Sequence, residues 1–188
     1  MVQELTIENA IEEILRCVGE DPQRPGLRLT PHRVAEMYRE LFDGVNQDPA
    51  QELLTSVDED HHDLVVLRDI PFYSICEHHL LPFFGSTSVA YLPTGKVLGL
   101  SKIVRALGIL SHRPQLQERL TSQLANTLFT SVQAEGVAVV IKAEHLCMSM
   151  RGVQKPGTQV VTSSMCGTFQ RESLTKRDLL SLLVGNPG

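Results

Sequence analysis

Two short strings gather the atoms best suited to chemistry. One is Cys76-Glu77-His78-His79; the other, some seventy residues later, is His145-Leu146-Cys147. Two thiols and three imidazoles form a donor set suited to zinc, which prefers Cys sulfur and His nitrogen in a tetrahedral shell. Cys76 and His79 stand three apart, which suits chelation from one tight turn. Residues 145 and 147 stand two apart and share a face if their segment is extended. A closed structural site takes four protein ligands, whereas a catalytic site takes three and keeps a position for water. Histidines left over would stand beside the metal as proton carriers, the composition of a reactive site rather than a clip. The competing reading is a polar turn at a strand end. Three titratable residues directly after Cys76, in a stretch flanked by Ile75 and Leu80-Leu81, are costly, however, unless they serve something.

A second cluster is Ser101-Lys102-Ile103-Val104-Arg105. With Ser101 as a helix cap, Lys102 and Arg105 share one face of the first turn, where cations oppose the helix dipole and an anion would relieve them. Arg151 and Lys155, just after Cys147, add charge, and phosphate binding follows as an expectation set against a plain solvated face. Gln117-Glu118, taken locally, is an ordinary exposed helical pair. Cys17 and Cys166 read as buried structural thiols. His32, His61, His62 and His112 lack metal-like spacing and read as surface or loop residues.

The elements that must position these residues come in two styles. Ile7, Ile11, Ile14, Leu15 and Val18 mark a first helix, and after a Pro/Gly-rich break at 21–26 a second carries Val34, Met37, Tyr38, Leu41 and Phe42, with Thr30 as cap and Pro31 at its first position. Strands are expected over 64–70, 83–92, 96–100, 137–141 and 158–170. Helices are expected from Ser101, from Pro114 with the stripe Leu116, Leu120, Leu124, Leu128 and Val132, and over 175–183. This order suggests an α+β fold with a largely antiparallel sheet.

Bulk properties narrow the class. A chain of 188 residues, 42% hydrophobic and without tryptophan, suits one domain with a real core. Seventeen basic against twenty-two acidic residues give a formal charge of −5, which argues against a nucleic-acid binder. Met1-Val2-Gln3-Glu4-Leu5 has no basic or apolar leader pattern, and four irregularly spaced cysteines do not read as a disulfide framework. A cytoplasmic protein with reduced thiols is expected.

Four strings in register then carry a resemblance: Cys76-Glu77-His78-His79-Leu80-Leu81-Pro82, Gly99-Leu100-Ser101-Lys102-Ile103-Val104-Arg105, Gln117-Glu118-Arg119-Leu120, and His145 to Val153. With Arg28 to Ala35, the chain from about 7 to about 183 resembles the zinc-dependent GTP cyclohydrolase I family. The resemblance implies the tunnelling fold: an antiparallel sheet with helices on one face, an N-terminal helical pair, and sheets of several subunits joined into a barrel. It implies one domain over 1–188, helical to about residue 60, and a decamer of two stacked pentamers with sites at subunit interfaces. One zinc ion per subunit would be held by Cys76, His79 and Cys147. His78 and His145 would be the acid–base pair, with Ser101 counted beside them in the catalytic set. Ser101, Lys102, Arg105 and Arg151 would hold a triphosphate, and Gln117 and Glu118 would read the guanine edge. The implied reaction turns GTP and water into 7,8-dihydroneopterin triphosphate and formate. A related reductase using a nucleophilic Cys and NADPH is disfavoured by the intact Cys-x-x-His and His-x-Cys pairs. A non-enzymatic reading would close the zinc site with His78 or His145 as fourth ligand.

Overall fold

The computed structural model describes residues 6–54, 56–171 and 173–184. The chain divides into two compact units, 1–43 and 44–188.

The first unit is helical. Helix α1 (Ile7–Cys17) begins where the Thr6 hydroxyl accepts from the Asn9 N–H at 3.2 Å, satisfying one of the donors a helix start leaves free. Helix α2 (Thr30–Leu41) starts one residue earlier than expected: Leu29 holds the cap position without a side-chain bond, and Thr30 is already helical. His32 Nδ1 lies 3.1 Å from Glu8 Oε1 and links the two helices. Cys17, expected to be buried, is exposed, because it lies on the polar side of α1 with its thiol turned to Glu13.

The second unit is built on a five-stranded sheet in the order β5-β2-β3-β6-β7. Its members are β2 (Val65–Cys76), β3 (Pro82–Leu92), β5 (Pro114–Gln115), β6 (Gly136–His145) and β7 (Gln159–Gly167). The long pairs β2–β3, β3–β6 and β6–β7 are antiparallel. The sheet is nevertheless mixed, because two-residue β5 runs parallel to the end of β2, pairing Ile75 with Pro114 and Cys76 with Gln115. Strand β4 (Lys96–Leu98) does not join it; it pairs with β1 (Ser56–Asp58) in a separate ribbon. Residues 64–70 are only the first half of β2, which continues through a register shift at Asp69, φ 57°, to reach Cys76.

Alternation along β6 divides the apolar residues between two faces. Val137, Val139, Ile141 and Ala143 pack with helix α3 (Leu100–Ser111) and helix α4 (Gln117–Val132) through Ile103, Leu107, Leu120, Leu124 and Leu128. Leu120, Leu124 and Leu128 are all but fully buried, each contributing about 1.5–3 kcal/mol by leaving water. Ala138 and Val140 point the other way, toward Phe169 of α6 (Thr168–Arg171) and Leu179 and Leu183 of α7 (Ser173–Val184). Helices therefore cover both faces, not the single face expected. The reason is visible in β6 itself, whose first six residues are all buried and offer apolar side chains in both directions.

Helix α4 starts at Gln117, after Pro114 has been spent on β5, and ends at Gln133, φ 52°, before Gly136 opens β6. Among the described residues no helix is long and apolar enough to cross a membrane.

Candidate functional site

The first ligand string lies in the link between β2 and β3. The Cys76 N–H donates to Leu81 O at 2.9 Å and the Leu80 N–H donates to Cys76 O at 2.9 Å, closing a tight turn. Leu80 takes φ 50°, a conformation a leucine adopts only when its surroundings impose it. The Glu77 N–H donates to Gln115 O at 3.0 Å, so β5 fixes the loop from the side. The result buries Cys76, 5% exposed, and leaves His78 and His79 exposed.

The second string arrives at the end of β6. His145 is that strand's last residue, and Cys147 sits in the single turn α5 (Leu146–Ser149) that follows. Because β3 pairs with β6, this end of β6 lies beside the start of β3 and its turn. Cys76, His79 and Cys147 thereby offer ligand atoms all within 4.8 Å of one another, with Cys76 Sγ 3.9 Å from His79 Nδ1. Ligands at ordinary Zn–S and Zn–N lengths around a tetrahedral ion stand about 3.6–3.8 Å apart, so the group fits zinc with little adjustment. Burial pushes the Cys147 thiol above its ordinary pKa, and the neighbouring Cys76 pushes it further. Two thiolates side by side repel, and a bound dication removes that conflict.

His145 is half-buried and held from two directions. Its ring stacks on Phe83, its cross-strand partner, with centroids 4.7 Å apart and planes 4° from parallel. Its Nε2 lies 2.8 Å from Gln117 Oε1. Burial lowers its pKa, an effect that Glu118 partly offsets. Gln117 is 1% exposed; its amide nitrogen reaches Ile141 O, Val160 O and Thr162 Oγ1 at 3.1, 3.0 and 3.1 Å. The local reading of Gln117 as an exposed helical residue is overturned, while Glu118 is exposed.

One cleft of about 230 Å³ is lined by Cys76, His78, His79, Cys147, His145 and Glu118, with Gln115, Leu116, Gln117, Met148 and Val160 completing the wall. Arg119, one residue past Glu118, grips Glu77 through both guanidinium nitrogens at 2.5 and 3.0 Å and holds its carboxyl below the usual range. Glu144 braces the segment after β6 by accepting from Ser149 Oγ at 2.5 Å and the Gly157 N–H at 3.2 Å.

Ser101, Lys102, Arg105 and Arg151 are not among the residues lining this cleft. Ser101 does not cap α3; Gly99 holds that position, and Ser101 lies exposed in the first turn. Lys102 Nζ and Arg105 Nη1 approach one carboxylate oxygen of Glu52, at 3.4 and 3.6 Å. The basic pair thus already faces an anionic oxygen from a 3₁₀ turn at Pro49–Leu53. Arg151 is exposed beyond α5, close enough to Cys147 to favour its thiolate.

Phe83, Gln115, Arg119 and Thr162 carry parts of the site that spacing did not reveal. Arg119 was visible as a charge beside Glu118, but its partner stands 42 residues away. Phe83 and Thr162 meet their partners only through strand register.

The chain is similar to proteins of one kind over nearly its whole length. The family model for GTP cyclohydrolase I matches residues 7–184. A GTP cyclohydrolase 1 of Halalkalibacterium halodurans is 52% identical over 180 residues, 95% of this chain and 96% of its own. That of Dehalococcoides mccartyi is 48% identical over 185 residues, 97% and 98% of the two chains. That of Caldanaerobacter subterraneus is 50% identical over 184 residues, again 97% and 98%. With the Cys76, His79 and Cys147 group among the residues lining its cleft and a match that spans both units, this chain belongs to the GTP cyclohydrolase I family.

Proposed function

We propose that the chain converts GTP and water into 7,8-dihydroneopterin triphosphate and formate, the opening step of pterin synthesis. The observation that carries this reading is one cleft holding a zinc-type donor group, two further histidines and an exposed carboxylate. Cys76, His79 and Cys147 would hold the zinc ion, one per subunit. A zinc ion there would supply the Lewis acidity that readies a water for attack near neutral pH.

The chain's own side chains do the rest. Glu118 accepts hydrogen bonds from the guanine N1–H and exocyclic amino group, a donor pair adenine lacks, so the site rejects ATP. His78, exposed beside the ligand turn, gives a proton to the imidazole nitrogen N7 and favours attack at carbon 8. Formate leaves when the resulting formamide is hydrolysed. His145 gives a proton to the ribose ring oxygen, so that the sugar opens and rearranges to the ketone on which the second ring closes.

Ser101, Lys102, Arg105 and Arg151 would take the triphosphate. The first three lie on α3, outside the cleft wall, and the interface site of a tunnelling-fold decamer would bring them in from a neighbouring copy. Glu52 then serves as the anion that Lys102 and Arg105 exchange for phosphate. The thiolates require reducing conditions, and all four cysteines are free, which suits the cytoplasm.

Incubation with GTP tests the reading. Formate and a pterin that fluoresces after oxidation are expected in equal amounts, both abolished by a chelator and restored by zinc. Release of neither product from zinc-loaded protein would overturn it.

A further inference from the structure

The hydrogen bonds around Gln117 have only one consistent polarity. Ile141 O and Val160 O are carbonyls and can only accept, so the side-chain amide must turn its NH2 group toward them. Flipping the amide would press its oxygen against two carbonyl oxygens in a site where Gln117 is 1% exposed. The neighbouring hydroxyls agree. Thr121 Oγ1 donates to Gln117 O at 2.7 Å, so it accepts from Thr162 Oγ1 at 2.7 Å. Thr162 has then spent its proton, and its oxygen accepts from the Gln117 amide at 3.1 Å. The two amide hydrogens are shared among three acceptors, none of which can donate back, leaving Oε1 as the atom that faces His145 Nε2 at 2.8 Å.

An amide oxygen accepts and never donates, so Nε2 must carry the hydrogen. Stacking on Phe83 fixes the plane of the ring, at 4° between planes, and rotation about the ring axis would break the 2.8 Å bond. Among the described residues Nδ1 has no hydrogen-bond partner, and His145 lines the cleft.

We propose that Gln117 is a positioning residue that locks His145 in its Nε2–H form and leaves Nδ1 as the nitrogen that exchanges a proton with the substrate. The inference rests on the GTP reaction proposed above. It moves the side chain of Gln117 from guanine recognition, as the resemblance implied, to the acid–base machinery, and it leaves the guanine edge to Glu118. In the step assigned to His145, the ring gives its Nδ1 proton to the ribose oxygen. The Nδ1–H bond breaks, an O–H bond forms, and the ring returns to the neutral Nε2–H form that Gln117 holds. Re-protonation at Nδ1 by water resets it.

Steady-state kinetics of zinc-loaded Gln117→Leu with GTP separate the two roles. A positioning residue gives a kcat about a hundredfold lower with KM within about twofold, because Glu118 still binds the base. A KM raised tenfold or more with kcat held would return Gln117 to guanine binding and overturn the inference. Nitrogen-15 NMR of the zinc-loaded parent, with the His145 signal identified by its loss in His145→Gln, is expected to show hydrogen on Nε2; hydrogen on Nδ1 in the neutral ring overturns the inference. If Gln117→Leu does not fold, Gln117→Met, which keeps the length of the side chain and removes Oε1, takes its place: kcat falls about a hundredfold with KM held, and an unchanged kcat overturns the inference. A parent protein that releases no formate from GTP would defeat the proposed function instead, and the NMR result would still report on the Gln117–His145 pair.

Discussion

Arg119 holds Glu77 in a two-pronged ion pair, at 2.5 and 3.0 Å, and so ties the first turn of α4 to the loop that carries Cys76, His78 and His79. The same helix turn presents Glu118 and Gln117 to the cleft. This ion pair is therefore one of the ties that set the proposed metal ligands and acid–base residues against the proposed guanine-reading carboxylate. Arg119→Ala is expected to weaken zinc binding about tenfold, the low end for residues that brace ligands from behind, as measured by competition with a chromophoric chelator. Unchanged zinc affinity would make the pair a surface link only. Glu77 is held below its ordinary pKa, so the stability this pair adds is present above the unfolded carboxylate range and drains as pH falls through the lowered value. The difference in melting temperature between parent and variant should narrow on acidification.

Cys147→Ala should lose zinc and activity together, since Cys147 is the member of the proposed ligand group supplied from beyond β6. Metal content after gel filtration and formate release check both. Retained activity without metal would remove Cys147 from the ligand set.

His78 stands outside the three-ligand group although it adjoins His79. His78→Ala should keep its zinc and lose about 10²–10⁴ in kcat, the range for a positioned proton donor. A variant that comes through purification without metal would instead place His78 among the ligands.

Glu118→Gln keeps the size of the side chain and removes one acceptor from the guanine edge. Weaker GTP binding by about tenfold or more and poorer rejection of ATP are expected, since a site built on paired hydrogen bonds discriminates through them. Equilibrium binding with both nucleotides measures this, and unchanged selectivity would end the role of Glu118.

Gly85→Ala tests the sheet under the site. A β-carbon there would lie 1.9 Å from Lys142 O, on the strand paired with it. Neither backbone can yield without parting β3 from β6, and with them Phe83 from His145. A loss of about 3 kcal/mol or more is expected in denaturant unfolding.

The parts of the site that sequence made legible are those with local chemistry. Cys76 and His79 from one turn, and Cys147 two residues past His145, announced a zinc-type donor set by residue type and spacing. The helical stripe of Leu120, Leu124 and Leu128 announced α4, and the unbroken apolar run from Val137 announced a strand. That same run already contained the reason for helices on both faces, although the single-face expectation passed over it.

What sequence alone determined was composition: which atoms can bind a metal, which can carry protons, and which segments must be helix or strand to bury their apolar sides. Tertiary structure decided pairing. Strand register set Phe83 under His145, two-residue β5 brought Gln115 and the start of α4 against the ligand turn, and a closed ring of hydrogen bonds chose which end of Gln117 faces the imidazole. These are contacts between residues tens of positions apart, and their energies depend on distance and direction, which local pattern does not encode.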